Sequence, residues 1–237
     1  MARKPTVVHL TAGLHHPAQA TSAFWQELWH EAGVEAETFE DIEEGCARLA
    51  QQRRDLLVVS ALRWPMDNDE KYAPHRTQWA YRIGESARSA ISGHLGDGGA
   101  LLALHTASIS FGDWPEWRDI LGARWVWGRS WHAPHGHTQT HILDDRHPIT
   151  RDVGDFDAPD EVYSDLEMQP GIHVLACSRV ADGSWWPTWW VHRRGRAKVC
   201  VDLLGHDEQS LRVDGHRLAL RQAVDWLLDR SQRNDDN

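Results

Sequence analysis

Short apolar runs without polar alternation recur through the first half of the chain, each followed by a stretch of helical period. Residues 6–11 (TVVHLT), 55–62 (DLLVVSAL) and 100–104 (ALLAL) are of this kind. Such runs suit strands buried on both faces, as at the centre of a parallel sheet. Residues 35–39 (EAETF) read as a further strand. Phe24, Trp25, Leu28 and Trp29 repeat at helical spacing up to Gly33, and residues 42–52 predict a short helix with Asp41 as N-cap. Residues 63–75, with Trp64-Pro65 and Ala73-Pro74, read as a loop, and 76–95 as one long helix stopped by Gly96-Asp97-Gly98-Gly99. Strand and helix thus alternate as in a doubly wound α/β sheet.

Beyond Phe111 the regularity loosens. Asp113 is the expected N-cap of a short helix with Pro115 just inside it, ending at Leu121-Gly122. Trp125 and Trp127, then His137, Gln139 and His141, alternate at strand spacing. Residues 144–148 form a turn, 173–178 and 189–192 further strands, and 193–196 a hairpin turn into a strand over 198–204. Asp152, Asp155 and Asp157 read as a solvated loop. A final helix is expected over 215–230, with a polar, frayed tail at 231–237. No repeat or low-complexity linker interrupts the chain, so a single domain over 1–237 is expected.

Composition narrows the function classes. The formal charge of −10 argues against broad binding to nucleic acid or anionic membranes, which calls for clustered Lys and Arg. No secretory segment or membrane span can be drawn. Three widely spaced cysteines with no CxxC fit a reducing cytoplasm rather than a disulfide framework. Fourteen tryptophans and sixteen histidines are the unusual counts. Most of the tryptophans serve as core, while a minority could offer flat faces to a sugar. Their abundance suits a homodimer and a well-packed monomer equally. The histidines matter only if they converge.

Three places invite convergence. His105 stands at the carboxyl end of a buried strand, where open α/β sheets gather ligands. Leu204-Gly205-His206-Asp207 repeats that pattern, so two parallel strands ending in His would bring both rings to one crevice, one as base and the other holding a metal or the substrate. His15-His16 lies in the loop after the first strand, at the same sheet edge. The run WHAPHGH places His132, His135 and His137 at metal-capable spacing, though loop histidines bonded to water or backbone would look the same. Asp160-Glu161-Val162-Tyr163 offers a carboxylate as base or ligand and a phenol as donor, or simply a solvated pair. No P-loop, GxGxxG or HExxH is present.

Taken together, Gly98 to Ala107, Gly128-x-Ser130-x-His132-x-Pro134-x-Gly136, Asp144 with His147-Pro148-Ile149-Thr150, Asp160-Glu161-Val162-Tyr163, Pro187-x-x-Trp190-Val191-His192 and Leu204 to Asp207 resemble the trehalose-utilisation (ThuA-like) family over nearly the whole chain. The resemblance implies a flavodoxin-like three-layer sandwich with a mostly parallel central sheet, similar to class I glutamine amidotransferases. Those relatives carry a Cys at the strand-to-helix elbow. Here the elbow holds His105 and no cysteine falls on such a motif, so a glutaminase is not expected. The family role implies a protein of sugar catabolism acting on a disaccharide or 3-keto-glycoside. The residues expected to carry it are His105, His206 and Glu161 as catalytic groups, with Trp127, Trp190, Tyr163 and Ser130 contacting the sugar. A divalent metal such as zinc would sit on His105, His132 and His137. The alternative is a sugar-binding or regulatory module that keeps the cleft and lacks the chemistry.

Overall fold

The computed structural model describes residues 3–230; the tail expected to fray lies outside them. The chain opens with β1 (Thr6–Leu10), α1 (Ser22–Ala32), β2 (Glu35–Phe39), α2 (Ile42–Gln51) and β3 (Leu56–Val59). There follow α3 (Arg76–Trp79), α4 (Glu85–Gly96), β4 (Ala100–Leu104) and α5 (Pro115–Leu121). A run of strands comes next: β5 (Ala123–Arg124), β6 (Trp131–His132), β7 (Gly136–Ile142), β8 (Phe156–Asp160), β9 (Tyr163–Ser164), β10 (Glu167–Met168), β11 (His173–Arg179), β12 (Trp185–Arg194) and β13 (Ala197–Asp202). The chain closes on α6 (Glu208–Leu211) and α7 (Asp214–Leu227).

The main sheet has nine strands in the order β2-β1-β3-β4-β13-β12-β11-β7-β8. From β2 to β13 the neighbours are parallel, and beyond β13 they are antiparallel. Alternate side chains of the parallel block feed two cores. Val8, Leu10, Leu57, Val59, Leu101 and Val201 pack with α2, α4 and α5, while Val7, Leu56, Val58, Leu102 and Cys200 pack with α1 and α7. Helices therefore cover both faces, giving the three-layer α/β architecture. Each fully buried Val, Leu or Ile contributes about 1.5–3 kcal/mol through the water it sheds.

Local chemistry sets the element ends. The Asp41 carboxylate accepts from the Glu44 amide at 2.9 Å, and Gly33 ends α1 in the left-handed conformation. Four expectations are corrected. The helix expected over 76–95 is two, because Tyr81 donates its amide to Trp64 O (3.0 Å) and Gly84 donates to Glu43 Oε1 (3.1 Å), tying residues 80–84 into extended chain. Asp113 does not cap α5; Trp114 takes the N-cap position and the Asp113 carboxylate binds Arg88 at 3.1 Å. Trp125 and Trp127 lie outside any strand, with the alternation of β7 starting only at Gly136. Asp157, read as part of a solvated loop, lies in the edge strand β8, where Pro159 is tolerated.

Candidate functional site

β4 and β13 are parallel neighbours with Leu104 opposite Asp202, so the two chain ends that leave them emerge side by side. His105 follows β4 directly, with φ at +41°, a conformation costly for a residue other than glycine. That strained elbow opens the 3-10 turn His105–Ser108. His105 Nδ1–H donates to Leu203 O at 2.8 Å, which fixes the tautomer and leaves Nε2 as a lone pair. This Nε2 is buried and has no hydrogen-bond partner among the described residues. Burial, chiefly, lowers the pKa of His105 to about 3, so the ring is neutral at pH 7.

His16 arrives from the loop after β1. Gly13 holds that loop against Leu62, where a Cβ would fall 2.5 Å from Leu62 O, and accepts the His16 amide at 3.1 Å. The His16 ring lies 5.2 Å from His105 and 4.9 Å from His206, and its pKa is lowered to about 3, by burial first and then by its two neighbours. One ring nitrogen from each of His16, His105 and His206 falls within 4.8 Å of the other two. This is a three-imidazole cradle, the donor set that suits zinc and similar divalent ions.

Glu161 stands beside it. Its Oε2 is 3.3 Å from His206 Nδ1 and 3.5 Å from His132 Nδ1, the former an ion-pair separation without hydrogen-bond alignment. Burial pushes the Glu161 carboxyl up, but His206, His132 and His105 together outweigh it and leave the pKa at about 2. His206 is raised in turn, first through the adjacent Glu161 carboxylate. A carboxylate behind a ligand-capable imidazole orients the ring and raises its basicity. Tyr163 is buried, with its ring 4.5 Å from that of His105, and forms a wall of the site.

A buried polar network places these groups. Asp160 accepts the Glu161 and Gly205 amides, each at 2.7 Å, and the Ser210 hydroxyl. Asp202 accepts the Leu204 amide at 2.9 Å and pairs with His216 Nε2 at 2.8 Å, while His216 Nδ1 donates to Ser210 O at 3.0 Å. Both nitrogens of His216 thus donate. Burial lowers its pKa, yet Asp202 and Asp160 outweigh that and raise it above the ordinary imidazole value. Gly205 has φ at +95°, and a Cβ there would meet Leu211 at 3.0 Å.

Other expected site residues stand elsewhere. His137 is exposed on β7, 3.4 Å from Asp157 of the neighbouring edge strand, and is not one of the three clustered imidazoles. His132 lies at the rim, beside Glu161 but outside that trio. Trp190 is wholly buried, and its indole donates to Leu121 O at 2.8 Å, so it belongs to the core. Ser130 is buried in its own loop, donating to Asp165 O and accepting the Val126 amide, both at 2.9 Å. Trp127 is 39 % exposed and free to meet a ligand. The third member of the trio, His16, was signalled only by its position in a loop at the correct sheet edge. No thiol stands at the elbow: Cys46 is on α2, Cys177 on β11, and Cys200 on β13 opposite Leu102, within the strand pair rather than at its end.

No helix among the described residues is long and apolar enough to cross a membrane. A search of the curated proteins finds no match. Among solved structures, a ThuA-like protein of Parabacteroides merdae aligns with a TM-score of 0.75 at 15 % identity, covering 95 % of this chain and 90 % of that one. A ThuA-like protein of Bacteroides uniformis gives 0.70 at 15 % identity, covering 96 % and 93 %. A cold-adapted β-galactosidase of Rahnella gives 0.60 at 13 % identity, covering 96 % of this chain but 32 % of that one. These likenesses establish the shared fold. The sequence profile of the family described as trehalose utilisation matches residues 4–227, and the chain belongs to that ThuA family.

Proposed function

We propose that the chain is an enzyme of sugar catabolism that acts on a disaccharide or 3-keto-glycoside at the centre formed by His16, His105, His206 and Glu161. The observation that carries this reading is the meeting of three imidazoles from separate loops within 4.8 Å, with an ionised carboxylate against one of them. A core histidine satisfied by the backbone would not leave a buried lone pair such as His105 Nε2 without a partner among the described residues. A divalent ion such as zinc fits His16, His105 and His206, and when bound it supplies Lewis-acid polarisation of a sugar carbonyl, worth several kcal/mol.

The remaining chemistry belongs to the chain. A carbonyl at C3 acidifies the C2 proton. Glu161, ionised at neutral pH, takes that proton; the C2–H electron pair forms the C1–C2 double bond and the C1–O bond breaks. The carboxylic acid so formed passes its proton to the departing alcohol, and the base is restored. Positioned acid–base groups of this kind give about 10²–10⁴-fold each. His206 holds Glu161 in its ionised form, and Tyr163 seals the inner wall against water.

The test is incubation of the purified protein with a panel of 3-keto-glycosides, followed by NMR. Product formation that is lost in His105→Ala and His206→Ala is expected. Unchanged turnover in both variants would end the proposal. Saturable sugar binding without product would favour the non-catalytic alternative.

A further inference from the structure

Between α1 and the strands β1 and β2 lies a cavity of about 250 Å³, its walls including His9, Thr11, Trp25, Trp29, Thr38 and Glu40. It is distinct from the three-imidazole recess but adjoins it, since Thr11 and Trp25 line both. Pockets for drug-sized ligands run to roughly 300–1,000 Å³, so this one suits a smaller molecule. The indoles of Trp25 and Trp29, stacked at 5.2 Å, give it an apolar wall.

Two nitrogens of the lining residues are buried without a hydrogen-bond partner among the described residues, His9 Nδ1 and Trp29 Nε1. The two residues are 1 % and 5 % exposed. Their nitrogens have opposite senses. The Ser60 hydroxyl donates its one proton to Thr11 Oγ1 at 3.2 Å, so it accepts from His9 Nε2–H at 2.8 Å, and His9 Nδ1 is left as a lone pair. Trp29 Nε1–H can only donate. Buried polar groups are rarely left unmet, and here an acceptor and a donor stand on rings whose centroids are 6.1 Å apart. A carboxamide answers both at once. Its N–H meets His9 and its carbonyl oxygen meets Trp29, through hydrogen bonds of about 2.9 Å on each side. Glu40 is the one carboxylate of the lining, and no Lys or Arg among the described residues lines the cavity, so an anion would find no counter-charge there.

We infer that this cavity is a second binding site, for a small neutral aromatic carboxamide, independent of the sugar chemistry proposed for the recess. Titration calorimetry of the intact protein with benzamide, acetophenone and benzoate tests it. Acetophenone keeps the carbonyl but has no N–H for His9; benzoate lacks the N–H and adds a negative charge. Benzamide is expected to bind at least about tenfold more tightly than either, because only it leaves neither buried nitrogen unpaired. Trp29→Phe keeps an aromatic wall and removes the donor, and should weaken benzamide about tenfold. The three-ligand comparison needs no substitution, so it decides the matter whatever Trp29→Phe does to folding. His105→Ala should bind benzamide as the parent does. No binding of benzamide, equal affinity for the three ligands, or indifference to Trp29→Phe would overturn the site. Loss of binding in His105→Ala would do so as well, by placing the ligand in the recess.

Discussion

A histidine that is buried without a counter-charge is held neutral, and this chain uses that rule at more than one position. His9, on β1, packs edge-on against Trp25 and Trp29, and burial lowers its pKa to about 3. The folded value lies below the unfolded value of 6.5, so the unfolded chain binds a proton that the folded chain refuses. Stability is therefore retained above pH 6.5 and is lost as pH falls toward 3, by about 1.4 kcal/mol per pH unit for one such proton. Urea unfolding at pH 7 and pH 5 should show a shallower acid loss in His9→Gln than in the parent; identical pH slopes would contradict this. Glu161 presents the opposite case, a carboxyl held ionised down to about pH 2 by its histidines. Glu161→Gln keeps the shape and removes the charge. Its turnover should fall by about 10²–10⁴-fold with the fold intact, and a variant as fast as the parent would exclude Glu161 as base.

At the scale of elements, the site depends on two parallel strands ending in register and on the network beneath their loops. Asp160, Asp202, Ser210 and His216 are all buried. Removing one member of a buried charged pair leaves the other uncompensated, at a cost of about 3–5 kcal/mol. His216→Phe should lower the unfolding free energy by that amount in a denaturant titration, while a change below about 1 kcal/mol would show that the network bears no such strain. The elements on which the site stands were legible in the sequence, since ALLAL and the run ending in Leu204-Gly205-His206 read directly as buried strands ending in His. Asp41 and Gly33 marked helix ends as expected. What the sequence hid was settled by tertiary contact. Gly84 and Tyr81 gave up a continuous helix for bonds to Glu43 and Trp64. Phe156 to Asp160 carry too little alternation to announce an edge strand. The spacing in WHAPHGH suggested a local metal set, whereas the clustered set is assembled from three distant loops, a proximity that no local spacing encodes.

Across the whole molecule, the parallel half of the sheet carries the chemistry at its carboxyl edge, and the antiparallel half brings β8 round to deliver Asp160 and Glu161 to the same place. The ThuA fold thus collects, over a single sheet, imidazoles separated by about a hundred residues and more. A ligand that binds only this assembled form stabilises it by mass action, about 2.7 kcal/mol at a hundredfold excess over the dissociation constant. Zinc should therefore raise the melting temperature of the parent and leave that of His105→Ala unmoved. The most direct measurement of the central claim is equilibrium dialysis of the metal-stripped protein against zinc, with the bound metal counted by mass spectrometry. One equivalent per chain is predicted, lost in His16→Ala, His105→Ala and His206→Ala but kept in His137→Ala. No bound zinc, or binding that survives in the first three variants, would contradict it.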